Sequence, residues 1–186
     1  MKVLGISGSL RRDSYNRKLL RAAEELLPAF VQFETWDELK AVPPFDEDDE
    51  QGPTPPAVAS LRDAVDVADA IVFATPEYNA SVPGQLKNAV DWLSRPVATT
   101  VLRGKPILVV GASTGAFGAV WAQAELRKVL ATAGARVVEA EVAVGHAPTK
   151  FDEDGALVDE ELTEQLGEAL AVLGAEAPVR PVALAV

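Results

Sequence analysis

Three short stretches carry the residue types that could hold an anion and orient a flat ring. The first is Ser7-Gly8-Ser9, followed by Arg11, Ser14 and Asn16. Serine hydroxyls and an arginine fork are donors suited to phosphate oxygens. A helix starting near Ser14 adds unpaired N–H groups and a partial positive charge. Ser14 also suits an N-cap, so the same residues would serve an ordinary strand-to-helix turn with solvated arginines. Neither G-x-G-x-x-G nor the Gly-Lys-Ser/Thr end of a P-loop follows this strand, which disfavours a Rossmann dinucleotide site and a P-loop nucleotidase here. The second stretch is Thr75-Pro76-Glu77-Tyr78-Asn79. Its proline keeps the backbone extended, so N–H and C=O groups can face a ring edge. Tyr78 could stack on a ring or pack in a core or interface. Glu77 could line a site, stay exposed or pair with Lys87. The third stretch, Ala112 to Gly118, lacks bulk at Gly115 and Gly118. Its backbone can approach a ligand closely, or simply turn tightly.

The elements that position these stretches follow from hydrophobic periodicity. Val3–Ile6, Ala70–Ala74 and Ile107–Gly111 are continuous apolar runs, as in strands buried on both faces. Phe30–Trp36 and Arg136–Ala143 alternate and read as two further strands. Tyr15, Leu19, Ala22, Ala23 and Leu26 repeat at helical spacing. Further helices are expected over Val58–Val67, Pro83–Leu93, Val120–Thr132 and Leu162–Leu173, with Pro83 at a first turn and Gly134 as a stop. Residues 41–58 are dense in proline and acid, which excludes a helix or central strand and suggests a flexible, solvated loop. A rim, lid or interface segment is the other reading, and Pro43-Pro44-Phe45 looks like an extended anchor within it. Phe151–Leu157 reads as an acidic turn. Trp92 and Trp121 read as packing residues, His146 as a loop residue, and Asp91 with Arg95 as an i, i+4 pair.

Strands alternating with helices specify a parallel sheet covered on both faces. We expect one domain over 1–174 and a loosely ordered tail over 175–186. In such sheets ligands sit beyond the carboxyl ends of the strands. The loops after Ile6, Ala74 and Gly111 lie at such ends and converge on one site. A phosphate at one end and a flat heterocycle at the other describe a mononucleotide such as FMN.

Bulk composition narrows the function classes. A formal net charge of −11 over 186 residues argues against general binding to nucleic acid or anionic membrane, without forbidding a local basic pocket at Arg11-Arg12. Cysteine is absent, so disulfides and thiolate chemistry are excluded. One histidine cannot build a usual zinc site, so no metal is expected. No apolar run is long enough to cross a bilayer and the first residues form a strand, so a soluble, cytoplasmic protein is expected.

Gly8-Ser9-Leu10-Arg11 with Ser14 and Asn16 resembles the phosphate loop of the NADPH-dependent FMN reductase family, which includes chromate and quinone reductases and azoreductase-like enzymes. Pro76-Glu77-Tyr78-Asn79, Ser81-x-Pro83-Gly84 and Leu86-Lys87-Asn88-Ala89-x-Asp91-Trp92 are similar to its second signature. Ser113-Thr114-Gly115 with Gly118 fits its third loop. The resemblance spans about residues 1–145. It implies a flavodoxin-like three-layer α/β sandwich with a five-stranded parallel sheet of order 2-1-3-4-5. It also implies non-covalent FMN, with NADPH or NADH as donor and small-molecule electron acceptors: quinones, free flavin, and by kinship chromate or azo compounds. By the same resemblance, Ser9, Arg11, Ser14 and Asn16 hold the phosphate. Pro76, Glu77, Tyr78 and Asn79 line the isoalloxazine, and Ser113 and Gly115 meet its pyrimidine end. Hydride passes through flavin N5, so no catalytic side chain is required. Family members are usually homodimers or homotetramers. The alternative is a flavodoxin-like electron carrier without its own NAD(P)H turnover.

Overall fold

A computed structural model describes residues 1–177. Its elements in order are β1 (Lys2–Ser7), α1 (Tyr15–Leu26), β2 (Gln32–Trp36), α2 (Glu47–Glu50), α3 (Pro56–Val67), β3 (Ala70–Thr75), α4 (Gly84–Leu93), β4 (Pro106–Ala112), α5 (Val120–Thr132), β5 (Arg136–Val137), β6 (Ala143–Val144) and α6 (Glu160–Glu176). The sheet is parallel in the order β2-β1-β3-β4-β5, and β6 also pairs with β4. That is the expected flavodoxin-like order.

The period-two alternation of strand side chains divides the core between the two faces. Leu4, Ile6, Ile71, Phe73, Ile107 and Val109 point to one face, under α3, α4 and α5. Val3, Ala70, Val72, Ala74, Leu108 and Val110 point to the other, under α1 and α6. Every residue of β3 and β4 is buried, which explains why these strands read as unbroken apolar runs.

Four expectations need correction. The fifth strand is not continuous. Ile107 pairs with Val137, whereas Gly111 pairs with Ala143. The partner offset grows from 30 (137 − 107) to 32 (143 − 111), so two extra residues bulge out between β5 and β6. The acidic segment is fastened to α4 rather than free in solvent. Asn88 Nδ2 and Trp92 Nε1 donate to the Pro43 carbonyl at 2.8 and 2.9 Å, and Phe45 N–H donates to Asn88 Oδ1 at 2.7 Å. Phe45 meets Trp92 edge-on at 5.0 Å, so the Pro43–Phe45 anchor is real. The segment also contains the single helical turn α2, where Asp46 caps Asp48 N–H and the acids sit at the favourable positive end. Asp91 pairs with Lys87, and Arg95 reaches Glu47 at 3.3 Å, so the expected Asp91–Arg95 pair does not form. Trp92 is buried, but Trp121 is half exposed and meets exposed Phe117 edge-on, so it is no core residue.

Helix α6 runs past the expected boundary at Gly174 to Glu176, and residues 178–186 of the expected tail lie outside the described residues. The Phe151–Leu157 turn forms as expected. No helix among the described residues is long and apolar enough to cross a membrane.

Candidate active site

The loops after β1, β3 and β4 meet at the carboxyl edge of the sheet, and their meeting begins in the strand ladder. Gly8 N–H donates to the Ala74 carbonyl at 2.8 Å, carrying the β1–β3 pairing one residue beyond the strand. A side chain at Gly8 would place its Cβ 2.6 Å from Leu86 Cδ2, so with any other residue the Leu86 side chain must shift for the loop to lie this close to α4. The loop then folds on its own hydroxyls. Ser9 N–H donates to Ser7 Oγ at 3.3 Å, Arg11 N–H to Ser9 Oγ at 3.3 Å, and Asn16 N–H to Ser14 Oγ at 3.2 Å. Ser14 is therefore the N-cap of α1. In each case the serine accepts, which leaves its O–H to donate elsewhere. Ser7, Ser9 and Ser14 are buried while Arg11 is exposed.

Asn16 joins the first loop to the third. Its Nδ2 donates to the Ala112 carbonyl at 3.0 Å, and its Oδ1 accepts from Ala112 N–H at 2.9 Å. The side chain is buried and engaged at both ends with the last residue of β4. It is a bolt between loops before it is a ligand contact.

Ser9, Arg11, Ser14, Asn16, Pro76, Glu77, Tyr78 and Ser113 line one cavity of about 100 Å³, together with Tyr15, Ala112 and Thr114. Two expected residues lie outside the lining. Asn79 sits at the tip of the second loop with φ of 55°. Gly115 turns its carbonyl towards His146 N–H at 2.8 Å, seating the third loop on residues 145–147. Sequence reasoning missed Tyr15, Ala112 and Thr114. Ala112 and Thr114 flank residues already singled out, whereas Tyr15 was assigned to the helix core.

Glu77 lies at the cavity edge, but its Oε2 accepts from the N–H groups of Trp121 and Ala122, both at 3.0 Å. It thus caps α5, whose own N-cap position, Ala119, supplies no side-chain bond. The expected partner Lys87 is taken by Asp91. Glu125, from the second turn of α5, accepts from Ser81 Oγ at 2.7 Å and Val82 N–H at 3.1 Å. The Ser81 hydroxyl, then Val82 N–H, hold this carboxyl below the usual carboxylate range.

Larger cavities lie elsewhere, notably a 460 Å³ groove between α4 and α5. Volume alone does not select the site. Pockets that enclose a whole small molecule run to roughly 300 Å³ or more, so the strand-end cavity has room for no more than a small group such as a phosphate. The donor set there suits a phosphate: two buried hydroxyls, a free guanidinium and the start of α1. The extended Pro76–Tyr78 backbone beside it suits a ring edge.

A doubly wound parallel sheet with an anion cradle at its carboxyl edge defines a flavodoxin-like mononucleotide-binding protein. The particular family follows from sequence: the chain belongs to the NADPH-dependent FMN reductases, whose family model matches residues 1–149. It is 42% identical over 174 residues to an NAD(P)H-dependent FMN reductase of Pseudomonas aeruginosa, covering 93% of each chain. It is 35% identical over 167 residues to a 2-hydroxy-1,4-benzoquinone reductase of a Burkholderia species, covering 89% of this chain and 90% of that one. Among solved structures it resembles FerB, a flavoenzyme NAD(P)H:(acceptor) oxidoreductase of Paracoccus denitrificans. That match has a TM-score of 0.82 at 30% identity, over 95% of this chain and 99% of that one.

Proposed function

We propose that this chain, an FMN reductase-type enzyme, transfers electrons from NAD(P)H to quinones and similar small acceptors at the edge where its three loops meet. One observation carries the reading: residues from three separate strand ends line a single cavity, with Ser9, Ser14, Ser113 and Thr114 among them. FMN, held by the residues below, would supply the redox chemistry that links NAD(P)H to the acceptor. The protein binds and orients. Ser9 and Ser14 would donate O–H to its phosphate, and Arg11 would offer its guanidinium as a charged fork. The Pro76–Tyr78 backbone runs along the ring, with Asn79 just beyond it. Ser113 and Gly115 stand at the pyrimidine end, where Gly115 N–H is turned onto Ser113 Oγ at 3.1 Å.

Tyr78, which lines the cavity, is half exposed, so donor and acceptor can reach one face in turn. Quinone as acceptor is supported by the benzoquinone reductase among the relatives. We place the enzyme in the cytoplasm as a homodimer or homotetramer, without nucleic acid or membrane as partner; size-exclusion light scattering measures the assembly. The test is steady-state oxidation of NADH and NADPH by the FMN-loaded protein with a benzoquinone. Turnover of either nicotinamide that rises with quinone concentration is the expected result. Tight FMN binding with negligible NAD(P)H oxidation would refute the enzyme and leave an electron carrier.

A further inference from the structure

The second loop is a two-residue hairpin. Tyr78 and Ser81 exchange backbone hydrogen bonds, both 3.2 Å long. The two residues between them, Asn79 and Ala80, have φ of 55° and 58°. Positive φ at both central positions is the type I′ turn, which asparagine tolerates at the first place and which normally takes glycine at the second. Alanine there is held in a left-handed conformation that it disfavours. The tip is exposed, so no core packing enforces this shape.

Two carboxylates enforce it instead, and they cross. Glu77, just before the hairpin, reaches out to the first N–H groups of α5. Glu125, on α5, reaches back to Ser81 and Val82 just after the hairpin. The hairpin is therefore gripped on both sides by charge-assisted bonds, the stronger kind. Lys87 and Lys128 lie close enough to favour the charge on Glu125.

We propose that Glu125 is a positioning residue for the cofactor: by gripping Ser81 and Val82 it holds the strained hairpin so that the Pro76–Tyr78 backbone is already in its ring-facing shape before FMN arrives. The proposal rests on the assignment of that backbone to the ring. Without Glu125 the Ser81–Val82 side of the hairpin loses its charge-assisted restraint, leaving the Tyr78–Ser81 backbone pair, buried Val82 and the Glu77 grip, and ordering the tip adds to the cost of binding. The fold itself is spared, because Glu125 is exposed and α5 is held by buried Ala122, Leu126 and Leu130.

The experiment is a titration of apoprotein with FMN, followed by flavin fluorescence, for the parent, Glu125→Ala, Glu125→Gln, Ser81→Ala and the double variant Ser81→Ala/Glu125→Ala. Glu125→Ala should weaken FMN about tenfold, the scale of one charge-assisted hydrogen bond. Glu125→Gln keeps an acceptor oxygen and should stay within about threefold of the parent. Ser81→Ala should lose less, and the double variant should be no worse than Glu125→Ala, because Ser81→Ala breaks one of the two contacts that Glu125→Ala already removes. The apoprotein melting temperature should move by no more than about 2 °C in Glu125→Ala. Parent-like binding by Glu125→Ala, equal losses with alanine and glutamine, or melting that falls in step with affinity would each overturn the proposal. A parent that fails to take up FMN would instead defeat the ring assignment, and this proposal with it.

Discussion

Asn16 shows how one side chain can matter to a site without touching the ligand. Its amide spans from the first turn of α1 to the backbone of Ala112, 96 positions away. Both contacts are buried, so removing the side chain strands a donor and an acceptor where water cannot readily replace them. Asn16→Ala should destabilise the apoprotein by about 2 kcal/mol, lowering the melting temperature by several degrees, and should weaken FMN as the first and third loops separate. Differential scanning calorimetry with an FMN titration checks both effects. Unchanged stability would mean that the bolt is not needed.

At the scale of elements, the third loop is fixed by close backbone packing as well as by side chains. Gly118 has φ of +57°, and a Cβ there would lie 2.3 Å from the carbonyl carbon of Ala143 at the start of β6. Gly118→Ala should cost at least about 3 kcal/mol, since strained φ and a backbone clash add. Gly104 has a similar φ of +68° but nothing within 4 Å of its would-be Cβ. Gly104→Ala should cost only about 1 kcal/mol, the conformational part alone. Urea denaturation of the two variants compares them directly, and equal losses would contradict the packing account.

The same scale shows what could be read from sequence. β3 and β4 were legible because burial on both faces makes a strand apolar throughout. The loops after them were legible because they concentrate small residues and donors. The break between β5 and β6 was not, because Arg136–Ala143 alternates whether or not two residues bulge out of register. The fastening of residues 43–45 to Asn88 and Trp92 was hidden by the segment's acid and proline content, which resembles that of a solvated loop. Glu125 gave no local signal at all; its partner Ser81 lies 44 positions upstream, and only the fold brings them together.

For the whole molecule, charge is uneven. The net charge is −11, yet Arg11, Arg12, Arg17, Lys18 and Arg21 place 5 of the 17 basic residues within eleven positions. Arg11 and Arg12 stand in the first loop and Arg17, Lys18 and Arg21 on α1, where Arg17 is paired with Asp37; the two loop arginines favour an anionic ligand there. The acids contribute to a pH dependence of known sign. Asp159 caps α6, and its carboxyl is held below its ordinary value of 3.8, first by the Lys150 side chain and then by Leu162 N–H. A carboxyl whose pKa is lower in the folded chain stabilises the fold above its unfolded pKa, and this contribution is lost as pH falls through the folded value. Apoprotein melting temperatures should therefore decline from about pH 5 downwards. Asp159→Asn, which can still cap, should decline less steeply. A steeper fall in the variant would reverse the assignment.

The measurement that bears most directly on the three-loop site compares FMN with riboflavin in an apoprotein titration. The two differ only by the phosphate that Ser9, Arg11 and Ser14 are assigned to hold. FMN should bind about a hundredfold more tightly, as two charge-assisted hydrogen bonds would give, and Arg11→Ala should narrow that gap. Equal affinity for the two flavins, or a gap indifferent to Arg11, would contradict it.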